Sequence, residues 1–144
     1  MEPKRVLLIE DSPDDELLTR RAIEQTGLPI DIAVVHDGVE ALAHFASLTM
    51  DTLPDLVLLD LKLPKVNGLE VLQQLRENVA TRHLTIVVFT SSNEMCDICE
   101  ASRFKANSYV RKPVEFHQFS AAVQMVCRYW LTINTPPIHQ AASS

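Results

Sequence analysis

The sequence predicts a three-layer α/β domain built on a parallel sheet. Five short apolar runs recur along the chain, and segments with helical spacing of apolar residues separate them, so strand and helix patterns alternate five times. The runs are nearly unbroken in valine, isoleucine and leucine, which is typical of strands buried on both faces. The length of 144 residues is that of one ordinary domain.

The strands are predicted from the apolar runs and the helices from the spacing between them. The runs give strands at 5–10, 30–36, 55–61, 84–90 and, more weakly, 108–112. The first helix begins at Pro13, with Ser12 as its cap, and ends before Gly27. Further helices are expected at 38–48, 68–78, 94–104 and 115–131. The following segment is rich in proline, serine and alanine, so we divide the chain into a domain at 1–133 and a flexible tail at 134–144.

Composition excludes several classes of function. The net charge is −6 and no basic run occurs, which argues against a nucleic-acid surface. The chain lacks both a signal peptide and an apolar run near the ~20 residues needed to span a bilayer, so the cytoplasm is the expected compartment. The three cysteines are expected to be free thiols. Cys96 and Cys99 form a single C-x-x-C without a second pair, which gives little support for zinc or redox chemistry.

Polar side chains follow four of the predicted strands. Glu10 and Asp11 follow the first, Asp60 the third, Thr90 the fourth and Lys112 the fifth. Ligands bind at the carboxyl ends of strands in an open parallel sheet, so these groups are expected to meet at one edge. Two carboxylates ~4 Å apart repel by about 4 kcal/mol at an effective dielectric constant near 20, which calls for compensating charge. A hard cation such as Mg²⁺ would supply it, with the lysine adding more.

Four segments resemble the receiver domain of bacterial two-component response regulators. They are IEDS, DLKLPKVNG, FTSS and YVRKP, and the resemblance extends over roughly residues 4–131. The order and spacing are specific, because Thr90 follows Asp60 by thirty residues and Lys112 follows Thr90 by twenty-two. The resemblance implies a flavodoxin-like (βα)5 three-layer sandwich with strand order 2-1-3-4-5.

The resemblance also implies a role for each site residue. Asp60 would accept a phosphoryl group from the phosphohistidine of a sensor histidine kinase and form an acyl phosphate, which makes the chain a phosphoacceptor and not a turnover enzyme. Thr90 and Lys112 would bind the phosphoryl oxygens, and Tyr109 would be the aromatic switch that follows Thr90. Mg²⁺ or Mn²⁺ would be held by four groups, which are the carboxylates of Glu10, Asp11 and Asp60 and the backbone carbonyl of Lys62.

The resemblance and its departures lead to three backbone expectations. Gly68 would relieve backbone strain beside Asp60, and the bond from Lys112 to Pro113 would be cis. Many receivers have a glycine before the fifth strand, where this chain has Lys105-Ala106-Asn107. Asn107 or Lys105 would therefore take the left-handed conformation that ends the helix, and asparagine suits it better.

The last predicted helix carries more apolar residues than one stripe requires. One set is expected to be buried and consists of Phe116, Phe119, Val123, Val126 and Trp130. A second set lies beside it and consists of Ala122, Met125, Tyr129 and Ile133. The second set indicates a symmetric homodimer; the alternative is that it belongs to a wide buried stripe, with a few exposed apolar residues beside it.

The segments EDSPDD and YWLTINTPP, with the missing glycine, resemble cyanobacterial phytochrome-associated response regulators, which are stand-alone receivers. That resemblance implies that the partner is a phytochrome with histidine kinase activity. It also implies that two copies of the chain form a dimer through the face made by helix four, strand five and helix five.

Three other functions fit the sequence less well than phosphoacceptance. A phosphorylation-independent dimerising or binding module would show a lost acid or lysine, and none is lost. A Mg²⁺-dependent phosphohydrolase normally needs a second acid two residues after the nucleophile, where this chain has Lys62. A nucleotide-binding module is disfavoured because the three glycines form no phosphate-cradling loop.

Overall fold

A computed structural model describes residues 2–136 and has the predicted architecture. Five parallel strands form one sheet in the order β2-β1-β3-β4-β5. The elements in chain order are β1 Lys4–Ile9, α1 Pro13–Gln25, β2 Ile30–Val35, α2 Gly38–Ala46, β3 Leu56–Leu59, α3 Gly68–Glu77, β4 Ile86–Thr90, α4 Met95–Arg103, β5 Ser108–Arg111 and α5 Phe116–Arg128, followed by a π-helical turn at Tyr129–Ile133. The predicted fold class and strand order are confirmed.

Alternating residues of the strands enter two separate cores. In β1, Leu7 and Ile9 face the core covered by α2, α3 and α4, while Val6 and Leu8 face the core covered by α1 and α5. Successive side chains of a strand point to opposite faces, so a strand buried on both sides must be apolar throughout. This explains why the unbroken apolar runs identified the strands.

The register of the sheet determines which residues share its carboxyl edge. Ile9 lies opposite Leu59 of β3, and the amide of Asp60 donates to the carbonyl of Ile9 at 3.0 Å. Because parallel strands run in the same direction, the residues that follow β1 and β3 reach the same rim. Glu10 and Asp60 are therefore neighbours by backbone pairing alone.

The helix starts follow local capping chemistry. Ser12 accepts a hydrogen bond from the amide of Asp15, and Pro13 occupies the first turn, as predicted. Asp37, Asn67 and Glu115 cap α2, α3 and α5 in the same way, each through a side-chain oxygen. These caps fix where each helix leaves the sheet edge and therefore where its first turn lies.

The buried stripe of α5 differs from the prediction at its first residue. Phe119, Val123, Cys127 and Leu131 are buried, and Val126 and Trp130 pack beside them half-buried, as does Ala122. Phe116 is 49% exposed, so its predicted burial is wrong. It opens the helix just past the end of the sheet, and its ring packs edge-on against that of His117.

The turn before β5 uses Lys105 for the left-handed conformation. Lys105 has φ of 63°, so the preference for Asn107 is wrong. The side chain of Asn107 is engaged instead, because its Oδ1 accepts from the amide of Ile86 and from Nη2 of Arg76, both at 2.8 Å. These bonds hold Asn107 at the start of β5.

The predicted tail falls mainly outside the described part of the chain. The division at residue 133 stays a prediction, and 137–144 lie outside the described residues. Within residues 2–136, no helix is both long enough and apolar enough to cross a membrane.

Candidate functional site

Three carboxylates meet at the carboxyl edge of the sheet. One oxygen each from Glu10, Asp11 and Asp60 lies within 4.8 Å of the other two. Glu10 and Asp60 are buried, while Asp11 is exposed. The cluster therefore has two buried carboxylates, of Glu10 and Asp60, and one at the surface, of Asp11, where water has access. Such an oxygen donor set fits a hard divalent cation that retains waters.

Lys112 places its ammonium group among the carboxylates. Its Nζ lies 2.5 Å from Oε1 of Glu10, 2.8 Å from Oδ2 of Asp15 and 3.1 Å from Oδ2 of Asp60. The backbone delivers it, because the amide of Lys112 donates to the carbonyl of Thr90 at 2.7 Å and extends the β4–β5 pairing past the strand. The three donors of the ammonium are matched by three carboxyl acceptors.

Burial and charge shift the pKa values of the site in defined directions. Burial raises the pKa of Glu10 to about 7, and the charge of Asp60 adds to this while the hydrogen bond from Lys112 opposes it. Burial alone would lower the pKa of the Lys112 ammonium. The charge of Asp60 and the hydrogen bonds to Asp15 and Glu10 outweigh it and raise that pKa. The lysine is therefore cationic at neutral pH.

The loop after Asp60 folds tightly against it. The amide of Lys62 donates to Oδ1 of Asp60 at 3.2 Å, while the Lys62 carbonyl as a metal ligand stays a prediction. A Cβ at Gly68 would lie 2.3 Å from the carbonyl oxygen of Asp60, so only glycine fits there. The predicted reason for this glycine is wrong, because its φ is not positive; Lys65 is the residue in this loop with a left-handed conformation, at φ of 69°.

Thr90 and Tyr109 both contact the loop after β4. Thr90 is buried, and its hydroxyl accepts from the amide of Ser92 at 3.4 Å. The hydroxyl of Tyr109 donates to the carbonyl of Ser92 at 2.8 Å, and burial raises the pKa of this tyrosine. The predicted switch pair therefore meets through one intermediate residue, two positions after Thr90.

The predicted cis bond before Pro113 is wrong. No cis peptide bond occurs among residues 2–136. The trans form of a bond to proline is ordinarily favoured by about 0.5–1 kcal/mol. With the trans bond, Lys112 reaches all three of its carboxylate partners.

Sequence reasoning missed two residues that contact the site. Asp15 contacts the ammonium of Lys112, and Ser92 links Thr90 to Tyr109. An acid in the first turn of a helix is common because it favours the positive end of the helix dipole, so Asp15 did not stand out from Asp14 and Glu16. Ser92 acts through its backbone, which any residue type supplies.

The comparison with protein families decides the classification. The model of the response regulator receiver domain matches residues 6–124, which is most of the chain. The chain belongs to this family. The resemblance noted from the sequence motifs is thereby confirmed.

Three relatives match this receiver domain over most of their own length. The probable methanogenesis regulatory protein FilR2 of Methanothrix harundinacea is 36% identical over 138 residues, covering 94% of this chain and 89% of its own. The response regulator Rcp1 of Synechocystis is 30% identical, with 94% of each chain covered, and a Mn²⁺-bound form of it has been solved. The phosphorylated cyanobacterial phytochrome response regulator RcpA superposes with a TM-score of 0.88 at 30% identity, covering 94% of this chain and 99% of its own.

Proposed function

We propose that this receiver domain accepts a phosphoryl group on Asp60 from a sensor histidine kinase and signals through phosphorylation-dependent protein contacts. The observation that carries the proposal is the buried Asp60 carboxylate, 3.1 Å from the Lys112 ammonium and in one cluster with Glu10 and Asp11. A purely structural ion pair would not need three carboxylates beside one lysine.

The proposed transfer uses the residues in distinct roles. A carboxylate oxygen of Asp60 attacks the phosphorus of a phosphohistidine, a P–O bond forms and the P–N bond breaks. The leaving ring nitrogen keeps the electron pair and takes a proton from water. Lys112 balances the charge on the phosphoryl oxygens, and the hydroxyl of Thr90 donates to one of them. The carboxyl phosphate formed at Asp60 is the signal.

Divalent metal binding belongs to the same proposal. Glu10, Asp11, Asp60 and the Lys62 carbonyl would hold Mg²⁺ or Mn²⁺, and the carboxylate oxygens within 4.8 Å of one another support this. When bound, the ion neutralises charge on the transferring phosphoryl group. The Mn²⁺-bound form of the related Rcp1 supports a divalent cation.

We propose that the kinase is a phytochrome and that the transfer takes place in the cytoplasm. The support is the similarity over nearly the full chain to RcpA, a cyanobacterial phytochrome response regulator. In this proposal the chain is a phosphoacceptor that supports its own phosphorylation and dephosphorylation, and Tyr109 reports the state of Thr90 through their shared contact with Ser92.

Acetyl phosphate labelling tests the site. With Mg²⁺ and acetyl phosphate, intact mass should show one added phosphoryl group on the unmodified chain and none on Asp60→Asn. Asp31→Asn, an exposed acid on β2, should label normally. Equal labelling of Asp60→Asn would refute the site. A folded chain that never labels would favour the phosphorylation-independent binding module.

We also propose a homodimer through the face of α4, β5 and α5. Met125 of α5 is 70% exposed, and Tyr129 and Ile133 of the following π-helical turn are 46% and 69% exposed, so three large apolar side chains lie open to solvent in succession. Met125→Asp should reduce the dimer population in size-exclusion light scattering, while Val39→Asp, at an exposed position of α2, should not. A chain that is monomeric at all concentrations, with or without phosphate, would refute the dimer.

A further inference from the structure

We propose that Asp15 is a positioning residue that holds the ammonium of Lys112 in the unmodified protein and competes with an incoming phosphoryl group for it. This rests on the proposed phosphorylation of Asp60. Asp15 lies outside the residues to which the family resemblance gives a role, and its contact with Lys112 spans 97 positions of the chain.

The first turn of α1 delivers Asp15 to the site. The Ser12 side chain accepts from the Asp15 amide at 3.3 Å, which fixes the backbone of this turn beside the strand end. Oδ2 of Asp15 then lies 2.8 Å from Nζ of Lys112. The neighbouring Asp14 is exposed and is not among the carboxylates that contact the ammonium.

Exposure distinguishes Asp15 from the other two partners of Lys112. Its side chain is 31% exposed, against 2% for Glu10 and 8% for Asp60. A buried carboxylate that loses its partner is left unsolvated, whereas a partly exposed one is taken up by water. Asp15 is therefore the partner that Lys112 can release at the least cost.

The donor count favours such a release. An ammonium group has three N–H donors, and each is matched by a carboxylate in the unmodified protein. A phosphoryl oxygen on Asp60 can gain a hydrogen bond from Lys112 when one of these contacts opens. Asp15 therefore opposes the transfer in two ways, by occupying a donor and by placing a negative charge near an anionic phosphoryl donor.

Asp15→Asn isolates this competition, because it keeps the shape and the capped amide but removes the charge. We expect the initial rate of phosphorylation by acetyl phosphate to rise about threefold to tenfold, as expected for removal of one nearby charge. Asp14→Asn removes the same charge one residue away without contacting Lys112 and should leave the rate within about twofold of the unmodified chain. Asp15→Glu keeps the charge and should return the rate towards the original value.

A second measurement needs neither metal nor phosphoryl donor. In ¹H–¹⁵N spectra selective for lysine ammonium groups, Lys112 should give a signal protected from exchange with water, assigned by its loss in Lys112→Arg. Asp15→Asn should broaden this signal through faster exchange, whereas Asp14→Asn should not. A structural role in α1 alone would not change the ammonium signal while leaving the fold intact.

The outcomes separate this inference from the proposed function. Labelling that is absent from the folded unmodified chain would refute the proposed function. If that chain labels on Asp60 but Asp15→Asn is no faster than Asp14→Asn, or keeps the same ammonium signal, the role of Asp15 is refuted and the phosphoacceptor stands.

Discussion

Two cationic side chains, the buried Lys112 and the half-buried Arg76, lie at opposite edges of the sheet and differ in the charge of the groups around them. At the carboxyl edge, Lys112 contacts three carboxylates. At the amino ends of β4 and β5, Arg76 of α3 donates hydrogen bonds to four neutral oxygens. Charge raises the pKa of Lys112, whereas burial lowers the pKa of Arg76. Arg76, bonded to neutral oxygens, therefore holds loops in place. Lys112, bonded to carboxylates, lies in a site where a phosphoryl group can replace one of them.

The Arg76 side chain ties two loops to α3. Its guanidinium donates to the carbonyls of Lys105, Arg82 and Leu84 at 3.1, 2.9 and 2.7 Å, and to Oδ1 of Asn107 at 2.8 Å. These acceptors belong to the segment before β4 and the turn before β5, so one side chain joins α3 to both. We therefore expect its loss to affect stability and not phosphorylation.

The largest expected effect is on chemistry, at Lys112. Lys112→Met keeps most of the length of the side chain but removes the charge that faces the phosphoryl oxygens. The rate of acetyl phosphate labelling should fall by about 10²-fold or more, as for the loss of one group that stabilises developing charge. Urea unfolding would verify that the variant is folded. A folded variant that labels within about threefold of the original rate would show that Lys112 has no role in phosphorylation.

The next effect is on stability, at Arg76. Arg76→Met leaves four acceptors without their donor, and we expect the free energy of unfolding to fall by about 2–3 kcal/mol. Labelling of Asp60 should continue at the original rate. Arg82→Met, at an exposed neighbouring arginine, should change stability by less than about 0.5 kcal/mol. A labelling defect in folded Arg76→Met would show that the two edges are coupled.

These two sites also show how far sequence reasoning reaches. The positions of Glu10, Asp60 and Lys112 follow from strand ends, because parallel pairing brings strand ends to one rim. Arg76 gave no signal, since its partners are mostly backbone carbonyls, which any residue type supplies. Asp15 gave only the ordinary signal of an acidic first turn. Backbone pairing can be predicted from patterns, while side-chain contacts between loops depend on the packed structure.

A third, smaller effect should appear in the pH dependence of stability. Glu10 has a pKa of about 7 in the folded protein against an ordinary value of 4.5, so the folded state binds more protons between these values. The free energy of unfolding should therefore decrease as pH rises from about 4.5 to 7, by about 1–3 kcal/mol. Glu10→Gln should lose this decrease and be more stable than the unmodified chain at pH 8 without divalent metal.

Urea unfolding across this pH range in EDTA gives the measurement. Glu24→Gln, at an exposed position of α1, serves as the control and should follow the unmodified chain. If Glu10→Gln kept the same decrease with pH, the loss of stability would have to come from another group, and burial of Glu10 would not be its cause.

The smallest expected effect concerns the turn that Arg76 holds. Lys105 adopts φ of 63°, which is unfavourable for a residue with a Cβ, so Lys105→Gly should stabilise the protein by about 0.5 kcal/mol once the added chain entropy of glycine is subtracted. Asn107→Gly should instead destabilise it by about 1–2 kcal/mol, because Arg76 and the amide of Ile86 lose an acceptor. Urea unfolding of the two variants compares them directly. If both were destabilised equally, the conformation of Lys105 would not be strained. If both were stabilised, the contact between Asn107 and Arg76 would contribute nothing to stability, and the Arg76 site would reduce to its carbonyl contacts.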